Sequence, residues 1–121
     1  MPNVLVVGGK LKCKHGGMLE LSSGSSLLEI AGAAAIAAGM EAGLSFAGGP
    51  DVLVPCPWAT SAGPSPCTAT VAATAGTSSL LSIGGVPALL DSASGQTVNA
   101  TDSGATWSVD SAGQTLLSVD Q

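Results

Sequence analysis

Two stretches decide how this chain is read: Ser25–Ala35, SSLLEIAGAAA, and Ser78–Ala88, SSLLSIGGVPA, which align at a constant offset of 53 residues and keep Ser, Ser, Leu, Leu, Ile, Gly and Ala in place. The centre of the phrase returns at Thr115–Val119, TLLSV, so the order hydroxyl, Leu, Leu, polar, β-branched occurs three times. A strand-and-turn unit this small cannot bury its own apolar face, and repeated copies pack around a shared axis. The expected fold is therefore mostly β: short hairpins with pseudo-threefold internal repeats, the copies lying near 25–35, 78–88 and 115–119.

Working outward, Leu80–Ile83, Gly84-Gly85 and Val86–Leu90 form the strongest hairpin signal, because paired glycines tolerate the positive φ of a tight turn. Met18–Leu21 and Leu27–Ile30 are expected to pair across Ser22-Ser23-Gly24. Residues 31–42 carry two readings: alanine density favours a short helix, whereas alignment to the second copy gives turn and strand. The stretch 50–66 holds Pro50, Pro55, Pro57, Pro64 and Pro66 and reads as a rigid connector. From Thr97 to Gln121 the alternation Val98, Ala100, Trp107, Val109, Leu117, Val119 predicts two strands joined at Asp110–Gly113.

With 121 residues, 1–121 is read as a single domain with one modest core. Tyr is absent and the aromatics are Phe46, Trp58 and Trp107, so Leu, Val, Ile and Ala must build that core and something further must help hold it. A net charge of −5 with no Arg argues against nucleic-acid binding, which needs several cations facing phosphates. The three cations, Lys10, Lys12 and Lys14, alternate along one predicted strand, Leu11–His15, whose other face carries Leu11, Cys13 and His15. That lysine row reads as a solvated strand face, with contact to a partner or anionic lipid as the sharper alternative. Met1–Gly9 has neither the basic start nor the apolar length of a secretory signal, which predicts a cytoplasmic origin. The low-polarity run 30–40 is half of what a membrane-spanning helix requires.

The three cysteines and the single histidine, Cys13, His15, Cys56 and Cys67, together make a Cys₃His set suited to one tetrahedral, structural zinc ion. Cys13 and His15 share a strand face, and the prolines beside Cys56 and Cys67 stiffen the segments that bring the other two. Such an ion would supply folding energy to an aromatic-poor domain without doing chemistry. Two blander readings stand beside it: three buried free thiols acting as small hydrophobes, or a disulfide between two of them. Trp58 and Trp107 read as packing residues near this site. No enzyme is expected, since no Ser-His-Asp, paired-carboxylate or phosphate-loop pattern occurs and Gly8-Gly9 lacks the further glycines of a dinucleotide fingerprint. A cysteine hydrolase using Cys13 and His15 is the remaining catalytic alternative.

An early Cys-x-His after Gly8-Gly9, three strand repeats, the turn Gly84-Gly85-Val86-Pro87-Ala88 and Cys/His ligands drawn from distant positions resemble the PAAR and PAAR-like spike-tip proteins. These cap contractile injection systems: type VI secretion systems, phage-like tails and extracellular injection particles. The resemblance covers roughly Val4 to Leu90. Pro87-Ala88-Leu89-Leu90 stands where a literal Pro-Ala-Ala-Arg would, and the ligand set is richer in Cys than in the better-known members. The resemblance implies a small cone with Cys13, His15, Cys56 and Cys67 binding metal near its apex. It further implies a monomer seated one copy per trimer on a β-helical spike protein, with transient contact to a target membrane that it helps pierce, delivered outside the cell without a toxin domain of its own. A β-rich adhesion or carbohydrate-binding module is the competing reading, suggested by the Gly, Ser and Thr content.

Overall fold

The computed structural model describes residues 2–30 and 32–119. Among these the chain forms eleven strands: β1 (Lys10–Cys13), β2 (Met18–Glu20), β3 (Ser25–Ile30), β4 (Ala33–Ala35), β5 (Val52–Val54), β6 (Ala59–Thr60), β7 (Gly63–Pro64), β8 (Ala69–Thr70), β9 (Ala75–Ile83), β10 (Val86–Val98) and β11 (Thr106–Ser111). Seven join in one sheet, in the order β5-β2-β1-β11-β10-β8 with β9 pairing β10 as well; β3 pairs β4 and β6 pairs β7 in two small ribbons. The mostly β expectation holds.

The repeated phrase builds the same unit three times. In the first copy β3 folds back on β4, with Ile30 opposite Ala33. The second sets Ile83 opposite Val86 across Gly84-Gly85, whose φ angles of 60° and 86° are the left-handed pair a two-residue hairpin needs. The third copy is completed from the other end of the sequence. Val119 N–H donates to Pro2 O at 2.9 Å, Val4 N–H donates to Leu117 O at 3.1 Å, and Asn3 bridges Ser118. Pro2–Val7 thus does for Thr115–Val119 what β4 does for β3.

The return segments of the three units close on one another in a ring. Leu5 N–H donates to Leu89 O, Leu89 N–H to Ile36 O, and Ile36 N–H to Leu5 O, each at 2.9 Å. A second cycle follows two residues on, from Val7 to Ala34, from Ala38 to Pro87 and from Asp91 to Asn3, each at 2.8 Å. Bridges Val6–Ala35, Ala37–Ala88 and Leu90–Val4 complete the pattern. Within each cycle every segment gives to one neighbour and receives from the other, as a threefold axis requires of its backbone groups, and the two cycles run in opposite senses.

Alternation along the ring segments then sorts side chains between two buried clusters. Leu5, Ile36 and Leu89 belong to a cluster with Leu11, Leu19, Leu21, Phe46, Trp107 and all three cysteines. Val4, Val6, Ala35, Ala37, Ala88 and Leu90 belong to the other, with Ile30 and Ile83 and, packed against them, Leu28, Leu81, Leu117 and Val119.

Four local expectations change. Met18–Leu21 does not pair with Leu27–Ile30; β2 pairs with β1 and β5 instead. The physical reason is that Leu19 and Leu21 bury in the cysteine cluster while Leu28 and Ile30 serve the repeat cluster, so one hairpin cannot satisfy both. The tail makes no hairpin at 110–113, because β11 is held by β1 and β10 while 117–119 lies along the N-terminal segment; residues 120 and 121 fall outside the described residues. Residues 32–42 contain a strand, a bridge at Ala37 and turns with no helix among the described residues, so alignment to the second copy outweighs alanine propensity; Ala31 is not described. The 50–66 connector is more regular than a loop, holding β5 and the β6–β7 ribbon.

Candidate metal centre

Cys13 is the last residue of β1, a strand held between β2 and β11, and it lies opposite Trp107. The strand expected over Leu11–His15 stops here, and His15 sits on the turn that follows, yet the alternation continues: Leu11 and Cys13 are buried while Lys12 and Lys14 are exposed. The turn is fixed by Cys13 N–H donating to Gly17 O at 2.9 Å and Gly16 N–H donating to Cys13 O at 3.0 Å. Gly17 has to be glycine, because a Cβ there would lie 2.9 Å from the Cys56 Cα and 3.0 Å from the Cys13 sulfur.

The other two cysteines are bound to one another through the buried Phe46. Its carbonyl accepts from Cys56 N–H at 2.9 Å and its N–H donates to Cys67 O at 3.1 Å. Sequence reading gave Phe46 no such part. Its backbone holds two segments together that lie eleven positions apart, with the ring filling the space behind them.

These elements bring all four expected residues to one point. The ligand atoms of Cys13, His15, Cys56 and Cys67 lie within 4.8 Å of one another. His15 Nδ1 is 3.7 Å from Cys56 Sγ and 3.6 Å from Cys67 Sγ, and the two sulfurs are 3.9 Å apart. A tetrahedral ion with metal–sulfur bonds of about 2.3 Å and metal–nitrogen bonds of about 2.0 Å sets its ligand atoms about 3.8 and 3.5 Å apart. The three separations match those edges. All three cysteines are free and buried, so among the described residues no disulfide joins them and no thiol faces solvent.

Polar neighbours orient the set. His15 Nε2 lies 2.7 Å from Asp102 Oδ2, and since a carboxylate only accepts, Nε2 carries the proton and Nδ1 keeps its lone pair for the sulfur side. Trp58 stacks on the imidazole at 4.3 Å between ring centres and donates its Nε1–H to Thr101 Oγ1 at 2.8 Å. The Cys67 sulfur accepts from Asn99 Nδ2 and Thr97 Oγ1, both at 3.5 Å, and the Cys13 sulfur from Gly17 N–H at 3.2 Å. Asp102, Asn99 and Thr97 were invisible in the sequence, where ordinary polar residues in a Gly- and Ser-rich stretch announce nothing.

The electrostatics suit a cation that displaces protons. Burial, reinforced by the Cys56 thiol, pushes the Cys13 thiol up to about 11 against opposing backbone contacts from His15 and Gly17. For Cys56 burial is again the largest influence and raises the thiol, but backbone contacts from Cys67 and Trp58, with the neighbouring thiols, outweigh it and leave it below the ordinary value. The His15 contact, with the Gly104 N–H and the Lys14 ammonium, holds the Asp102 carboxyl below the usual range. Beside the cluster, Lys14 Nζ is 3.4 Å from Asp102, and further along the strand Lys12 Nζ is 3.9 Å from Asp110. The arrangement is compatible with a closed, four-ligand metal site. Compared with known protein families, curated proteins and solved structures, the chain has no match.

Proposed function

We propose that this chain is a structural tip that caps a trimeric β-helical spike of a contractile injection system, with one zinc ion as an internal staple. The observation that carries the reading is the closed ring of backbone hydrogen bonds among 2–7, 33–38 and 86–91. A single chain that repeats one unit around an axis offers the same contact three times, which is what the end of a homotrimer requires of a monomer that binds it once. Three thiolates and an imidazole with tetrahedral edges select zinc among the common divalent ions, and four protein ligands leave it no open position for catalysis. A small cone delivered outside the cell, pressed briefly against a target membrane, needs resistance to deformation, and short hairpins closed on themselves supply it.

The competing readings have less support. A carbohydrate-binding module needs exposed aromatic faces for sugar rings, but Phe46 and Trp107 are buried and Trp58 is stacked on His15. A cysteine hydrolase needs an accessible thiol, and Cys13 is buried with its sulfur tied to Gly17.

The test mixes the purified protein with the trimeric β-helical spike protein of the same genome and measures the assembly by native mass spectrometry, with metal content read on the same sample. One copy per trimer with one zinc per chain is the expected result. Absence of binding at high micromolar concentration, with the protein folded and metal-loaded, would overturn the proposed function.

A further inference from the structure

Three of the most exposed large hydrophobic side chains occupy the same place in the three repeats. Leu27, Leu80 and Leu116 are 72%, 70% and 74% exposed. Each is the first leucine of its Leu-Leu pair; the second, Leu28, Leu81 or Leu117, packs against the repeat cluster. Folding therefore uses one leucine of each pair and leaves the other in water.

The backbone carrying each exposed leucine is fixed by a matching contact. Ser25 Oγ accepts from Leu27 N–H at 3.2 Å and Ser78 Oγ from Leu80 N–H at 3.1 Å. In the third copy Gln114 Oε1 accepts from Leu116 N–H at 2.6 Å, a longer side chain reaching the same amide. In all three cases the acceptor stands two residues before the leucine, so the presentation is held even where the capping residue changes. Leu27 also leans over the turn of the next unit, since a Cβ on Gly84 would come within 2.7 Å of its Cδ1.

We infer that Leu27, Leu80 and Leu116 are the contact points of the docking surface, each entering one of three identical apolar pockets at the end of a homotrimer. The inference rests on the proposed function for the identity of that trimer. The symmetry argument for a threefold partner comes from the leucines themselves. A bilayer has no need of equal exposure at equivalent positions, and a second copy docked on the same axis, the other surface that would offer three equal contacts, is read as self-association in the experiment below. Three matched positions are met most fully by a surface that is itself repeated three times, as the end of a homotrimer is.

The experiment compares wild type with Leu27→Ser, Leu80→Ser and Leu116→Ser, singly and together, in binding to the purified spike trimer of the same genome; Val71→Ser, exposed but outside the repeats, is the control. Melting temperature and metal content should stay at wild-type values in all variants, because the substituted side chains are not part of either buried cluster. Each single variant should weaken binding by about tenfold, to similar extents, and the triple variant by several hundredfold or more. A triple variant that binds as tightly as wild type would overturn the leucine contact while leaving the proposed function standing. Loss confined to one leucine would overturn the threefold contact. Wild-type protein that binds no trimer, but floats with phosphatidylcholine vesicles or self-associates through these leucines, would overturn both.

Discussion

The repeat cluster and the cysteine cluster are both buried and lie against the same three ring segments, yet they are made in opposite ways. The repeat cluster is assembled from one phrase used three times, so Ile30, Ile83 and Val119 do equivalent work, and so do Leu28, Leu81 and Leu117. The cysteine cluster takes one side chain from each ring segment, Leu5, Ile36 and Leu89, but the rest of it is assembled once, from β1, the 19–21 segment, the 46–67 region and the chain from β10 to β11. Redundancy lets the first lose one contributor and keep its shape. The second brings three cysteines and one histidine to a single point, and under the proposed staple its stability would depend on all four together with their hydrogen-bond donors.

That contrast predicts unequal fragility, and the largest effect belongs to the cysteine side. Cys67→Ser nearly keeps the size of the side chain but removes the sulfur to which Asn99 and Thr97 donate. It should abolish stoichiometric metal binding and lower stability by several kcal/mol, on the order of 5 or more, with wild type stripped by a strong chelator behaving alike. Thermal melts with metal analysis read both. A variant that melts with wild type would remove the staple from the account and leave the two clusters alike.

The next effect lies in the repeat cluster. Ile83→Ala empties a buried position, and a loss of about 2–4 kcal/mol is expected by denaturant titration, with one metal ion per chain retained. Ile30→Ala, at the equivalent position, should match it to within about 1 kcal/mol. A wide gap between the two would show that the units are alike in backbone but not in packing, and would weaken the threefold description. If Ile83→Ala also emptied the metal site, the clusters would be one cooperative body in place of two.

How much of this could be read beforehand follows the same division. A repeated phrase is a sequence signal, so the hydroxyl-Leu-Leu motif revealed the three units and the Gly84-Gly85 turn revealed one hairpin with its register. The completion of the third unit by Pro2–Val7 carries no such signal, since Pro2-Asn3-Val4-Leu5-Val6 shares little with Ala33–Ala37 or Val86–Leu90 beyond being apolar. Its equivalence exists in backbone hydrogen bonds, which any side chain tolerates. In the candidate metal centre the four residues were legible as a set because Cys and His are rare here and chemically distinctive, and the structure brings them together. Their geometry was not, because it depends on the Phe46 backbone and on Asp102, residues whose type says nothing about a site. The Met18–Leu21 hairpin failed for a related reason: local alternation marks which residues face inward but not which of two clusters they face.

Asp102 tests whether the second sphere of the cysteine side is as particular as the first. Asp102→Asn preserves shape and an acceptor oxygen but removes the charge that favours Nε2–H and leaves Nδ1 free. Metal affinity, measured by competition with a calibrated chelator, should fall by about 10- to 100-fold, with binding still one to one. Unchanged affinity would reduce Asp102 to a surface partner of Lys14.

The smallest effects sharpen the repeat side, where the capping residues are equivalent in place but not in kind. Ser25 Oγ holds one amide, Leu27 N–H; Ser78 Oγ holds two, Leu80 N–H at 3.1 Å and Leu81 N–H at 2.9 Å. Gln114 holds two amides through Oε1, those of Leu116 and Leu117, and through Nε2 donates to Val4 O at 2.7 Å and Leu117 O at 2.8 Å. Its extra bond to Val4 is the reason for the longer side chain: the third unit joins segments from opposite ends of the sequence, with no covalent turn to hold them as Gly84-Gly85 holds the second. Substitution by Ala should therefore be graded, near 0.5 kcal/mol for Ser25, about 1 for Ser78 and about 1.5 for Gln114. Hydrogen exchange should report the Gln114 loss at Val4 and Val119, whose amides bond across the joined segments. Equal losses at all three positions would mean that the joined unit needs no special clamp, and that the symmetry alone holds the N-terminal segment in place.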